Sequence, residues 1–511
     1  MVAATESKKG KNFSKSSDFK KRKFDDHKKD NKSSLEEGQS ASNKKRALKH
    51  ERQSHRKHAD IVVSGKELWN KMRLKSNTKE EITEMMTELM TSFTGKFNDV
   101  AMQHDASRIV QAAIQFGNED QRLIIVKELS SSISELSKVQ YAHFAILKMI
   151  KYCVRNKDAM KIIVKSLKGH INKLCVHAVG ARVVELLLAT FPAKITAHLK
   201  LELYGPQFAL FASGDLSAST STNNPTLQSI IKEQPDKKEV AVQNILNIIN
   251  KGIEKSLFSF AYFQRLFSEY VLAVSPNEIR AIAPSISDHA IHLLSTRSGA
   301  RVVAECAAYS TPKERKRMMR SLKGYTRSSL KHADAYIALL RLIDVTDDTV
   351  TAQKLLLEEL QVDPTAGKVK VSVDGTVEDN GDNNSPKSPI LEIALSDTGS
   401  KLFLMLLSKD EERRKKYFDP SELEILKPNP TVLENGEQIP TSKKNASTRR
   451  VELLRYMKNL LVELCTLHAD ELLFSRPGSK ILREVFETFP SKELSESIID
   501  VCKRKNTDKD S

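Results

Sequence analysis

No run of apolar residues approaches the ~20 that a membrane-spanning helix needs, and the first 30 residues lack the apolar core of a secretory signal. Cysteine is sparse: Cys153, Cys175, Cys306, Cys465 and Cys502 stand apart with no CxxC pair. That usage excludes a disulfide scaffold and a zinc module, and it reads as small buried apolar residues in a reducing compartment. Nor is there a GxSxG, P-loop, HExxH or paired-carboxylate pattern at a helix or loop junction. Strand signals are nearly missing too; the one alternating stretch, Lys368 to Val373, is short. These gaps lead us to expect a soluble, intracellular, all-α binding protein, not an enzyme, with no cofactor, no metal and no membrane partner.

Acid is also in deficit. Over 511 residues, 82 Lys or Arg face 65 Asp or Glu, a formal charge of +17. Such an excess points to a polyanion, because each Lys or Arg placed on a phosphate releases condensed counterions. Residues 1–60 carry 18 basic against 9 acidic residues, so tail and body are separate electrostatic objects. The tail is Lys, Ser, Asn, Asp and Glu with few aliphatic residues, which predicts disorder over 1–63. Its clusters Lys20, Lys21, Arg22, Lys23 and Lys44, Lys45, Arg46 read as nuclear or nucleolar addresses or as phosphate-binding tails. His50, His55 and His58, with Glu51 and Asp60, could suggest a metal, but a disordered tail cannot fix ligand geometry.

What is present in quantity is amphipathic helix of ten to fifteen residues, as in Ile82, Met85, Met86, Leu89 and Met90 on one face of residues 80–93. Two polar stretches, 213–225 and the acidic 374–388, read as inserted loops. The helices repeat. His289-Ala290-x-x-Leu293-Leu294-x-Thr296-Arg297-x-Gly299-Ala300-Arg301-x-x-x-Glu305 returns at His468 through Glu484 without a gap, all ten positions identical or similar. A shorter core recurs at Gly180-Ala181-Arg182, Gly399-Ser400-Lys401 and Ala106-Ser107-Arg108, more weakly at Ala142-His143-Phe144 and Asp334-Ala335-Tyr336. The third residues are spaced by 36, 38, 119, 35, 65 and 79, a period of 35 to 40 with degenerate copies between. Such a period implies stacked helical hairpins, none able to bury its apolar face alone.

On one such core helix, about 100° per residue brings Ser107, Arg108 and Gln111 to one face and turns Ile109 and Val110 inward. Repeated along the array, that face becomes a ladder. It resembles the pumilio (PUF) RNA-binding repeats, in which these first, second and fifth positions meet one base per repeat, the second by stacking. Glu67-Leu68-Trp69, Gly169-His170 with His177-Ala178, Glu202-Leu203-Tyr204-Gly205, Tyr336 to Leu340 followed by Asp344 to Asp348, and Ser475-Arg476-x-Gly478-Ser479-Lys480 narrow the resemblance, over residues 64–505, to the Puf-A branch with its CPL-type C-terminal region. Membership implies a right-handed superhelical, L-shaped solenoid of pumilio-type repeats, with repeats over 64–350, a CPL-type region over 351–505 and a short tail over 506–511. It also implies a monomer in the nucleolus of the nucleus that binds RNA, and DNA, with low selectivity. Partners would be rRNA precursor and proteins of the pre-ribosomal particle, in rRNA processing and large-subunit assembly; some relatives also repress mRNAs.

Only Ser107 with Gln111 matches an edge-reading pair, the one that faces adenine in the family. Elsewhere the pairs are His143 with Leu147, Ala181 with Glu185, Ala300 with Ala304, Ala335 with Leu339, Ser400 with Leu404 and Ser479 with Arg483. The second position stays aromatic or cationic throughout: Arg108, Phe144, Arg182, Arg301, Tyr336, Lys401 and Lys480. Ser107, Arg108, Gln111, His143, Phe144, Arg182, Glu185, Arg301, Tyr336, Lys401 and Lys480 are therefore the candidate RNA-binding residues. A competing use of the basic position is pairing along its own helix, since Glu305 and Glu484 lie four residues after Arg301 and Lys480. His177, His289, His332 and His468, just ahead of repeat cores, read as capping or core histidines. The alternative for the whole chain is a protein-binding scaffold of the HEAT or armadillo type.

Overall fold

The computed structural model describes residues 51, 57–211, 225–361 and 388–507. The basic clusters at 20–23 and 44–46, the stretch 368–373, and almost all of the loops expected at 213–225 and 374–388 fall outside them. The chain divides into two units, Met1–Ala59 and Asp60–Ser511. Helices reach a few residues into both expected tails. A helix, Ala59–Met72, buries Val62, Gly65, Leu68 and Met72, a helical stripe that the charged residues around it obscure. At the other end the helix Lys492–Thr507 continues past 505.

The second unit is a helical solenoid. Helices Ser107–Phe116, His143–Tyr152, Gly180–Thr190, Ala261–Ala273, Arg297–Tyr309 and Tyr336–Val345 pack each on the next, forming an inner row. Helices Ser400–Leu407 and Arg476–Thr488 pack on each other further along. One continuous core runs from Val62 to Leu494, so each repeat covers the apolar face of its neighbour. The glycine of the repeat core permits a close approach: a Cβ on Gly299 would lie 1.8 Å from the Leu293 carbonyl oxygen, and one on Gly399 2.6 Å from that of Ile393.

Polar side chains join successive repeats in a recurring way. Glu128 accepts the N–H groups of Gly95 and Phe97, Glu202 those of Gly169 and Ile171, and Glu359 those of Gly324 and Thr326. Each time a carboxylate caps the short helix of the preceding repeat, where a glycine with φ of 81° to 87° turns the chain. Arg122 donates to the carbonyls of Ile114, Gln115 and Tyr152; Arg315 donates to those of Ala307, Ala308 and Val345, the same offsets of eight, seven and thirty residues. These guanidinium struts cover helix-end carbonyls that would otherwise lack partners. The Nδ1 atoms of His177 and His332 accept N–H groups ahead of two inner helices, at 3.1 to 3.2 Å, and so serve as caps. His289 instead stacks on Phe258 with centroids 4.7 Å apart, and His468 lies 3.4 Å from Glu471.

The near-absence of strands has one exception among the described residues. Thr431–Glu434 and Glu437–Pro440 form an antiparallel hairpin about Asn435 and Gly436, with φ of 52° and 86°. Asn-Gly is the preferred pair for such a turn, a signal the helical texture overshadowed. Asn277 clamps Leu433 by two hydrogen bonds of 2.6 and 2.8 Å, and Arg280 meets Glu434 at 2.5 Å. Directly after it, Thr441 and Ser442 bond the buried Arg315 guanidinium. The segment between the last two helix pairs is thus strapped back onto repeats more than 100 residues earlier.

Candidate nucleic-acid interface

The second positions of the repeat fall into two groups. Arg108 and Arg182 are exposed, and Phe144 between them is 45% exposed despite its apolar ring. They stand on three consecutive helices of the inner row. Lys148, one helical turn beyond Phe144, reaches Gln115 of the preceding repeat at 2.6 Å, and burial lowers its ammonium pKa. This is a cationic and aromatic surface open to solvent, suited to a strand with phosphates and stackable bases.

Three of the later rungs, Arg301, Tyr336 and Lys401, are occupied by carboxylates of the chain itself. Arg301 lies 2.9 Å from Glu424 and 3.8 Å from Glu305. Lys401 lies 2.5 Å from Glu422, over the rings of Tyr336 and Phe418 at 5.4 and 5.7 Å. The Tyr336 hydroxyl donates to the same Glu422 oxygen, and burial, then that carboxylate, raise the phenol pKa. Glu422 and Glu424 both belong to the short helix Pro420–Ile425, which packs across Arg297–Tyr309 and Tyr336–Val345. Lys480 is partly exposed; Glu484, the expected partner, is fully buried and instead meets Arg413 at 3.3 Å and the Tyr417 hydroxyl at 2.5 Å.

The base-edge positions are mostly spent on the fold. Ser107 is 1% exposed and donates to the Tyr141 carbonyl at 3.2 Å, while Gln111 donates back to Ser107 at 3.3 Å. The pair expected to read adenine therefore joins two repeats, because a helix packed on both neighbours turns its first position inward. His143 is 2% exposed, bonds the Val139 carbonyl, and has its pKa lowered by burial. Glu185 is fixed by two N–H donors, Ala261 at 3.1 Å and Tyr262 at 3.2 Å. Ser107, His143 and Glu185, expected to face a ligand, are thus engaged in contacts within the fold.

Residues 396–510 match the model of the CPL (NUC119) domain. Human Pumilio homolog 3 is 27% identical over 471 residues, covering 91% of this chain and 63% of that protein. A Schizosaccharomyces pombe pumilio homology domain family member 6 is 24% identical, covering 86% and 62%. The chain thus spans less than two thirds of the length of the curated relatives it matches. In three dimensions it is similar to human Puf-A, with a TM-score of 0.67 and 26% identity over 84% of this chain and 75% of that one. Human Puf-A in complex with DNA gives 0.69 and 25%, over 87% and 79%.

The chain is a Puf-A-type pumilio-homology protein. Its CPL region supplies the helix that covers the later rungs. This Puf-A-type chain also carries two residues on or beside the ladder that the repeat pattern missed. Arg265 lies 36 residues before Arg301 with Glu269 four residues on, at 3.0 Å; the Arg-x-x-x-Glu spacing signals it, but Phe263 replaces the core glycine. Trp69, the single tryptophan, receives the guanidinium groups of Arg73 and Arg108 over its ring at 4.7 and 5.6 Å. It places a partly buried aromatic ring directly beside Arg108.

Four thiols, Cys153, Cys175, Cys306 and Cys465, are buried; burial pushes Cys153 up to about 11 and Cys175 and Cys465 to about 12. They are poorly suited to act as nucleophiles. Among the described residues no helix is long and apolar enough to cross a membrane, and no group of three His, Cys, Asp or Glu could hold a metal.

Proposed function

We propose that this chain holds nucleic acid, RNA foremost, with low sequence selectivity, through Trp69, Arg108, Phe144 and Arg182. The observation that carries the reading is the contrast within each early repeat: the stacking position is open, while Ser107, His143 and Ala181 beside it are buried. A base can stack there at about 1 to 3 kcal/mol without having its edge read. Human Puf-A has been solved with DNA, which fits a grip through backbone and stacking.

The same reading extends to rRNA processing and large-subunit assembly in the nucleolus, as a monomer beside pre-ribosomal proteins. A basic array that grips without reading suits a partner found in one place at high concentration. Titrating the full chain against unrelated single strands over a range of salt tests the binding. Similar affinities that fall steeply with salt are expected. A preference on the order of a thousandfold for one short sequence would refute low selectivity, and no binding at all would favour the protein-scaffold alternative.

A further inference from the structure

We infer that the helix Pro420–Ile425 sets the length of the nucleic-acid site: its carboxylates stand in for a polyanion on the later rungs, so bound strand stops after the Arg182 repeat. The inference rests on the nucleic-acid reading and adds where the grip ends and what ends it.

The rungs it covers are equivalent to those left open. Arg301, Tyr336 and Lys401 occupy the same repeat position as Arg108, Phe144 and Arg182. Glu424 takes Arg301; Glu422 takes Tyr336 and Lys401 together; Ser421 accepts from Arg297 at 3.0 Å. Each donor that would meet a phosphate or a base thus meets an acceptor from one short helix. A cation with its carboxylate already within 3 Å gains little from a phosphate, since the exchange first separates an existing pair.

The occupant is also anchored rather than lying loosely on the surface. Glu422 is 3% exposed, and its second oxygen accepts the Asp419 N–H at 2.7 Å. Tyr417 and Phe418 are buried just before the helix, and the hairpin clamped by Asn277 comes after it. Strand entering along the open face would meet Arg265 next, already paired with Glu269, and then this acidic turn.

The test compares Arg301→Ala and Arg182→Ala in the full chain, alone and combined with Glu422→Gln/Glu424→Gln, using oligo(U) of graded length as probe. In the native background Arg301→Ala should leave affinity unchanged, whereas Arg182→Ala weakens it. Glu422→Gln/Glu424→Gln should lengthen the occluded site and tighten binding of long strands roughly fivefold or more, as one additional stacked base would. The salt slope should steepen by about 0.7 for each of Arg297, Arg301 and Lys401 that gains a phosphate, and Arg301→Ala should then cancel part of the gain. If the double variant fails to fold, Glu424→Gln, whose side chain is 51% exposed, replaces it. Equal losses from Arg301→Ala and Arg182→Ala in the native background, or an unchanged site length in the folded glutamine variant, would overturn the inference. A native chain that binds no oligo(U) at any length would instead defeat the nucleic-acid reading itself.

Discussion

Glu185 caps the helix Ala261–Ala273: its carboxylate accepts the Ala261 N–H at 3.1 Å and that of Tyr262 at 3.2 Å, across more than 70 residues of sequence. In a base-reading repeat this fifth position would face the ligand. Here it closes the gap left where the chain detours between the third inner helix and the next. Glu185→Ala should cost about 1 to 2 kcal/mol of stability, the scale of a lost cap. Denaturant unfolding measures that, and nucleic-acid affinity of the folded variant should stay within about twofold.

The open rungs should separate by chemistry. Phe144→Ala removes a stacking surface and should weaken binding by about 1 to 3 kcal/mol with the salt slope unchanged. Arg182→Ala should weaken it and flatten the slope by about 0.7, one single-strand phosphate contact. Fluorescence anisotropy at several salt concentrations distinguishes the two, and the same pattern on every probe sequence is expected.

Arg315 is the most demanding of the struts. Its guanidinium is 1% exposed and bonds three helix-end carbonyls together with Thr441 and Ser442. Arg315→Ala leaves those carbonyls buried without donors and should cost more than about 3 kcal/mol. Arg122 lacks the added hydroxyl partners and is less buried, so Arg122→Ala should cost roughly 1 kcal/mol. Paired melting curves check the order.

Acid should loosen the array. Burial, as the leading cause, lowers the pKa of His143, His177 and His198, and the neutral His177 ring accepts two N–H groups. The unfolded chain therefore binds protons more readily than the folded one. This contribution is complete above the unfolded histidine value of about 6.5 and is lost as pH falls below it through the folded values. Tm should drop between pH 7.5 and 5, and His177→Asn, which keeps a capping acceptor without the titration, should reduce the drop.

Much of this architecture could be read from residue order. Gly299-Ala300-Arg301 and its glycine-bearing copies located inner helices because there the helix meets a carbonyl six residues back, where a Cβ would crowd it. Arg265 escaped because Phe263 fills that place. The tail boundary slipped because Val62, Leu68 and Met72 are diluted by charge, and Asn435-Gly436 was outweighed by helical surroundings. The closure of the later rungs was not legible at all. Nothing local marks Glu422 and Glu424 as partners of Tyr336 and Arg301, which lie more than 80 residues earlier, and only the strap's path brings them together. Residue order showed which positions could stack, while burial decided which remain free.

Central to this picture is that strand lies on the first three rungs and not on the later ones. Ultraviolet cross-linking of full-length chain to uniformly labelled single-stranded RNA, with the linked peptides identified by mass, tests it most directly. Links are expected on the peptides carrying Trp69, Arg108, Phe144 and Arg182 and none on those carrying Arg301, Tyr336 or Lys401. Links concentrated on the latter, with the early rungs unmodified, would contradict it.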